Sequence, residues 1–104
     1  MIAGFVLALA AATAPEPREQ AMESIEARIT MPPGAAPLAS YERLYSDGEN
    51  GEIVALYQRS ERPGRRWVSP ADLPLISDGG CAFIDVRVST GPGASISASC
   101  HGEA

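Results

Sequence analysis

Lysine is absent from this chain of 104 residues, and histidine occurs only once, at His101. All eight basic residues are Arg and stand against 13 acidic residues, which gives a formal net charge of −5. Such a chain has no general basic surface that could collect phosphates, so a nucleic-acid partner is disfavoured. Aromatic residues make up only 6% of the sequence, and the length is enough for one small domain.

Long apolar runs are also missing. Residues 1–14 carry no charged side chain, but this run is shorter than the ~20 apolar residues that a membrane-spanning helix needs. It matches the hydrophobic region of a secretory signal, with small residues at the positions that a signal peptidase reads. We therefore predict a signal peptide at residues 1–12, no transmembrane anchor after processing, and a periplasmic or secreted location. The basic residue expected before the run is absent, and the alternative is a buried N-terminal helix of a cytosolic protein.

Cysteine occurs only twice, as Cys81 and Cys100, without the C-x-x-C spacing of a redox motif. An even count in a small, exported chain indicates one disulfide, which would contribute ~3 kcal/mol to stability. The alternative is a nucleophile–base pair of Cys81 and His101, which needs a reduced thiol. A metal site is disfavoured because Cys100 and His101 are neighbours in a predicted strand and point to opposite faces. No metal and no cofactor are predicted.

Residues 13–37 hold five of the nine Pro and no aromatic residue. This composition is poor material for a core and predicts a flexible lead-in. Met22, Ile25 and Ile29 share one helical face, so residues 18–29 can form a short helix, which would be marginal without packing.

Residues 38–104 are predicted to form a small disulfide-stapled domain of mostly antiparallel β structure (small α+β), with four or five short strands. Residues 41–45 and 52–58 flank a turn rich in Gly, Asn and Asp and predict a hairpin; residues 38–46 also suit a short helix. Residues 66–69 predict a short strand, and Ser69-Pro70-Ala71-Asp72 predicts one short helical turn. We expect Tyr41, Tyr45, Tyr57 and Trp67 to form the core rather than a ligand groove.

The C-terminal hairpin is the clearest local pattern. Apolar residues alternate with polar ones on both strands around the turn at residues 90–93. The predicted register pairs Val88 with Ala94, Val86 with Ile96, Ile84 with Ala98, and Ala82 with Cys100. Because this register sets Cys81 and Cys100 on opposite faces, the disulfide requires a bulge between Ala98 and His101 or near Gly80, or a register slip at the open end.

Arg59, Arg62, Arg65 and Arg66 lie within eight residues, next to Trp67. One interpretation is a contact for an anionic envelope component, such as a lipid headgroup or polysaccharide, or for another protein. The other is a solvated loop in which the Arg stems lie over Trp67.

The segment Asp78-Gly79-Gly80-Cys81, the strand that follows it, and the ending Cys100-His101-Gly102-Glu103-Ala104 resemble small exported proteins of alphaproteobacteria, particularly sphingomonad-type bacteria. The resemblance covers residues 38–104, and His101 stands where that pattern has Asn. It implies a shared fold, export and a pairing of Cys81 with Cys100, but no activity. We therefore predict a non-enzymatic binding or structural module of the bacterial envelope. The alternatives are a small secreted enzyme that uses Cys81 and His101, or a protease inhibitor that presents residues 62–66.

Overall fold

The computed structural model describes residues 16–91 and 93–102, so the predicted signal peptide at residues 1–12 lies outside the described residues. This part of the chain contains one α-helix, α1 (Pro17–Arg28), and five strands that form a single sheet. The strands are β1 (Tyr41–Asp47), β2 (Ile53–Arg59), β3 (Gly64–Trp67), β4 (Gly80–Ser89) and β5 (Ser95–His101). Their order is β3-β1-β2-β4-β5, and every pairing is antiparallel except β1 with β3. The predicted small α+β fold is confirmed.

The first hairpin forms where the sequence predicts it. Tyr41 pairs with Arg59 at its open end, and Asp47 pairs with Ile53 beside the turn. Asn50 has a φ of 54°, a left-handed conformation that Asn tolerates better than most residues. Leu38–Ser40 is a short 3-10 helix that ends where β1 begins, so residues 41–46 are strand rather than helix. The predicted helical turn is also present, as a 3-10 helix at Pro70–Asp72.

The helix α1 packs on one face of the sheet, which we call the front face. Pro17 occupies its first turn, where the missing N–H is not needed, and Arg28 lies in its last turn, where a cation suits the helix dipole. Met22 and Ile25 are buried in the same cluster as the three Tyr and the apolar residues of β4. The short helix predicted within residues 18–29 is therefore present, and it is packed rather than transient, because two apolar side chains on one helical face join the core.

The C-terminal hairpin has a register two residues away from the predicted one. Val88 pairs with Ile96, Val86 with Ala98, and Ile84 with Cys100. A shift of two residues keeps every side chain on its predicted face, and Ile84, Val86 and Val88 are buried as expected. The pairing is interrupted between Gly80 and Ile84, and Ala82 is exposed in this bulge rather than facing the core.

The connection from β3 to β4, residues 68–79, crosses the opposite side of the sheet, which we call the back face. It has to cross the sheet because β3 lies at one edge, beyond β1, whereas β4 lies on the far side of β2. The front face is covered by α1. Val68 leaves β3 with its N–H donated to the carbonyl of Tyr45 at 2.8 Å. Leu44 and Leu56, which pair across β1 and β2 on the back face, are both buried.

Candidate functional site

A cleft of about 530 Å³ lies between the back face of the sheet and residues 70–76 of this connection. We call it the back-face cleft. One side is apolar and includes Leu56, Leu73, Leu75 and Ile76. The other side is polar and is built from alternate residues of β4 and β5: Asp85, Arg87, Ser97, Ser99 and His101. The polar side of the cleft follows from strand alternation, because the apolar residues of β4 and β5 face α1 and their polar residues face the back.

His101 ties the connection to the sheet at one end of the cleft. Its Nδ1 lies 2.6 Å from a carboxylate oxygen of Asp85, and its Nε2 lies 2.6 Å from the carbonyl oxygen of Ile76. A carbonyl oxygen only accepts hydrogen bonds, so Nε2 carries a proton, and the carboxylate favours a proton on Nδ1 as well. The hydrogen bond to Asp85, followed by that to Ile76, raises the pKa of His101 above its usual value.

The charged groups beside the cleft are neutralised within the chain. Asp85 is paired with His101, and Arg87 donates to Glu52 at 2.9 Å. What remains on the polar side are the hydroxyl groups of Ser97 and Ser99, both exposed. The cleft is therefore suited to uncharged polar groups beside an apolar body, rather than to a strongly ionic ligand.

Leu75 is the exposed large apolar residue of the described chain, with 99% of its surface accessible. It follows Pro74 in the connection and lines the rim of the back-face cleft. Single exposed apolar residues are common on proteins. This one is distinguished by its position beside the back-face cleft.

Cys81 and Cys100 form the predicted disulfide, with their Cα atoms 4.4 Å apart. The bulge between Gly80 and Ile84 brings Cys81 beside Cys100, which is one of the three adjustments that the sequence left open. Cys81 is therefore not a thiolate nucleophile, and both ring nitrogens of His101 are already engaged. The arrangement leaves the enzyme hypothesis based on Cys81 and His101 without its nucleophile.

The Arg residues predicted as a partner contact do not form one surface. Arg65 faces α1 and donates to Glu19 at 3.0 Å and to Glu26 at 3.1 Å. Arg66, the next residue of β3, faces back and is bound by Glu42. Arg59 lies with its guanidinium carbon 6.0 Å from the ring centre of Tyr41, and Arg62 is exposed in the loop between β2 and β3.

Trp67 packs against aromatic and cationic neighbours. Its ring stacks on Tyr45 at a centroid distance of 6.3 Å, and the guanidinium of Arg18 lies 5.3 Å from the ring centre. The Nε1 atom of Trp67 is buried and has no hydrogen-bond partner within residues 16–91 and 93–102. The core interpretation of the aromatic residues holds, since the three Tyr are also buried.

A polar network between α1 and the sheet was not predicted from the sequence. One carboxylate oxygen of Glu26 accepts from Tyr45 at 2.8 Å and from Arg43 at 2.9 Å, while its other oxygen accepts from Arg65. Burial raises the pKa of Tyr45, and it raises that of Tyr57, hydrogen-bonded to Tyr45, to about 12. The sequence signal that could have found this network is the spacing of Glu19 and Glu26, which sets both on one helical face.

No family model, curated protein or solved structure matches the chain. In the residues that the structure describes, no helix combines the length and the apolar character needed to cross a bilayer. The function of the protein therefore has to be inferred from the geometry of its own residues.

Proposed function

We propose that the protein is a non-enzymatic binding module of the bacterial envelope and that the back-face cleft is its binding site. The observation that carries the proposal is Leu75, which is 99% exposed at the rim of a preformed cavity. Covering such a side chain contributes ~1.5–3 kcal/mol to an association. An occupant of the cleft would therefore gain more from this residue than from any other exposed apolar residue described.

The chemistry of the cleft indicates the class of ligand. Its apolar side includes Leu56 and Leu73, and its charged groups are paired within the chain. A ligand with an apolar body and uncharged polar groups would fill this space without displacing an ion pair. The hydroxyl groups of Ser97 and Ser99 would then supply hydrogen bonds that set its orientation.

An envelope location is supported by the disulfide. Such bonds persist in oxidising compartments and are rare in the cytosol. Together with the signal peptide proposed for residues 1–12, the disulfide favours a periplasmic or secreted protein.

An anionic partner at the loop between β2 and β3 is the weaker proposal, and so is a protease inhibitor that presents this loop. Arg65 and Arg66 are held by carboxylates of α1 and β1, which leaves Arg59 and Arg62 for a partner. Replacing Arg65 to test such a contact would also disturb the docking of α1. Replacing Leu75 to test the cleft does not have this drawback, because Leu75 is exposed.

The test uses a neutral apolar fluorophore, N-phenyl-1-naphthylamine, titrated against the oxidised protein. We expect saturable binding that is weakened about tenfold to a hundredfold in Leu75→Ser, because the apolar contact is lost. The matched control is Ala94→Ser, an exposed residue of the β4–β5 turn, which should bind as the wild type does. Unfolding of both variants should match the wild type, since both residues are exposed. Equal affinity of Leu75→Ser and Ala94→Ser would contradict the proposal.

A further inference from the structure

The two edges of the sheet differ in how they are protected against pairing with another strand. An edge strand presents unpaired N–H and C=O groups, and proteins commonly shield them with charge, proline or short length. The edge strand β3 has only four residues, two of them Arg65 and Arg66. In the described part of the chain, β5 is the other edge: it has seven residues, Ser95–His101, with no Pro, no acidic residue and no Arg.

The side chains of β5 are complementary to a second copy of the same strand. In an antiparallel pair centred on Ala98, each Ser97 lies opposite Ser99 of the other copy, and each Ile96 lies opposite Cys100. Ser95 then lies opposite His101. Apolar residues thus meet on the front face, where Ile96, Ala98 and Cys100 are half-buried, and hydroxyl groups meet on the back face.

We propose that β5 is the dimerisation edge of this protein and pairs with β5 of a second copy around Ala98. The alternation of apolar and polar residues excludes a slip of one residue, which would set apolar side chains opposite serines. Among the registers that keep both faces, the one centred on Ala98 pairs all seven residues of β5. The resulting two-fold symmetry also closes the assembly. The joined sheet would end in β3 at both sides, the short strand that carries Arg65 and Arg66.

The expected strength of the dimer follows from the size of the interface and from the net charge of each copy. A single pair of seven-residue strands is at the low end of specific interfaces, so association should be weak and depend on protein concentration. Each copy carries a formal net charge of −5, which opposes association through screened repulsion. Wild-type dimerisation should therefore increase with added salt.

The test exploits the opposition of residues 97 and 99. One double variant carries Ser97→Glu and Ser99→Glu, and the other carries Ser97→Lys and Ser99→Lys. Both positions are exposed, and each variant sets one opposite-charge pair and one like-charge pair against Arg87 and Asp85 of β4, so the monomer should remain folded. Like charges directly opposite each other disfavour pairing, whereas opposite charges favour it. Each variant alone should sediment as a monomer, and the mixture should form a dimer with an apparent dissociation constant at least about tenfold lower than that of either variant alone.

A matched pair of controls places the same charges on the exposed surface of α1, at Ser24 and Ala27. Mixing the Glu and Lys versions of these controls should give no gain in dimer. A gain as large as that of the β5 variants would overturn the proposal, since it would reflect general charge attraction. The proposal would also be overturned by a wild type that sediments as a monomer at all accessible concentrations, which would leave the edge to a strand of another protein. Dimers that persist in both β5 variants alone would place the interface elsewhere and overturn it too.

Discussion

The substitution Glu26→Ala removes the centre of the contact between α1 and the sheet. The Glu26 side chain is 9% exposed and accepts hydrogen bonds from Tyr45, Arg43 and Arg65 at 2.8, 2.9 and 3.1 Å. Its loss leaves the guanidinium groups of Arg43 and Arg65, which are 13% and 23% exposed, without their shared carboxylate. An incompletely solvated cation that loses its partner is destabilising.

The magnitude can be bounded from the remaining contacts. Breaking a fully buried ion pair costs ~3–5 kcal/mol. Arg43 keeps a hydrogen bond to the carbonyl of Tyr41 at 2.9 Å, and Arg65 keeps Glu19. Both guanidinium groups also reach some solvent, so we expect ~2–3 kcal/mol for Glu26→Ala. For a domain of this size, such a loss corresponds to a fall in the thermal midpoint of ~10–20 °C.

The assay is urea unfolding of the oxidised protein, followed by circular dichroism, with Glu19→Ala as the matched control. Glu19 lies on the same helical face, is 44% exposed and binds only Arg65 among the described residues. Its removal should cost no more than ~1 kcal/mol. If Glu26→Ala and Glu19→Ala differ by less than ~0.5 kcal/mol, the carboxylate of Glu26 does not hold α1 on the sheet and the reasoning is refuted.

Two further predictions concern the far end of the sheet. Cys100→Ser should lower the free energy of unfolding by ~3 kcal/mol, because it releases the loop closed by Cys81; urea midpoints equal to those of the oxidised wild type would contradict this. The hydrogen bond to Asp85, and then that to the Ile76 carbonyl, raise the pKa of His101. The protonated ring therefore stabilises the folded state. This contribution is complete below pH 6.5, the usual pKa of His, and is lost as the pH rises through the pKa of His101 in the folded protein. The thermal midpoint of the wild type should therefore fall relative to that of His101→Asn as the pH rises above 6.5, whereas parallel pH profiles would argue against the contact.

Local patterns in the sequence were sufficient for the hairpins and for the disulfide. Alternation from Ile84 to Val88 correctly separated the buried face of β4 from the exposed one, because side chains alternate with a strict period of two. The same rule did not determine the register with β5, since a shift of two residues preserves both faces. The conflict between the predicted register and the disulfide nevertheless required an irregularity at the open end of the hairpin, and of the three possibilities it left, the structure has the bulge near Gly80.

The docking of α1 could not be predicted in the same way. A helix of 12 residues is marginal in isolation, so its stability depends on partners elsewhere in the chain. Those partners are distant in sequence: Arg65 lies 46 residues from Glu19 and 39 from Glu26. The back-face cleft is equally non-local, because it exists only once residues 68–79 cross the sheet. The Pro-rich composition before residue 38 does not report these contacts.

The cleft and the open edge are parts of one surface rather than two independent features. Ser97 and Ser99 line the cleft and are also the residues that would meet across a pair of β5 strands. A ligand that contacts these hydroxyl groups therefore changes the surface presented to a second copy, and a second copy changes the polar side of the cleft. By thermodynamic reciprocity, any effect of the ligand on dimerisation equals the effect of dimerisation on ligand affinity. The fluorophore titration and the sedimentation measurements are thus linked by one coupling free energy, so the fluorophore affinity is to be measured at a protein concentration where the state of β5 is known.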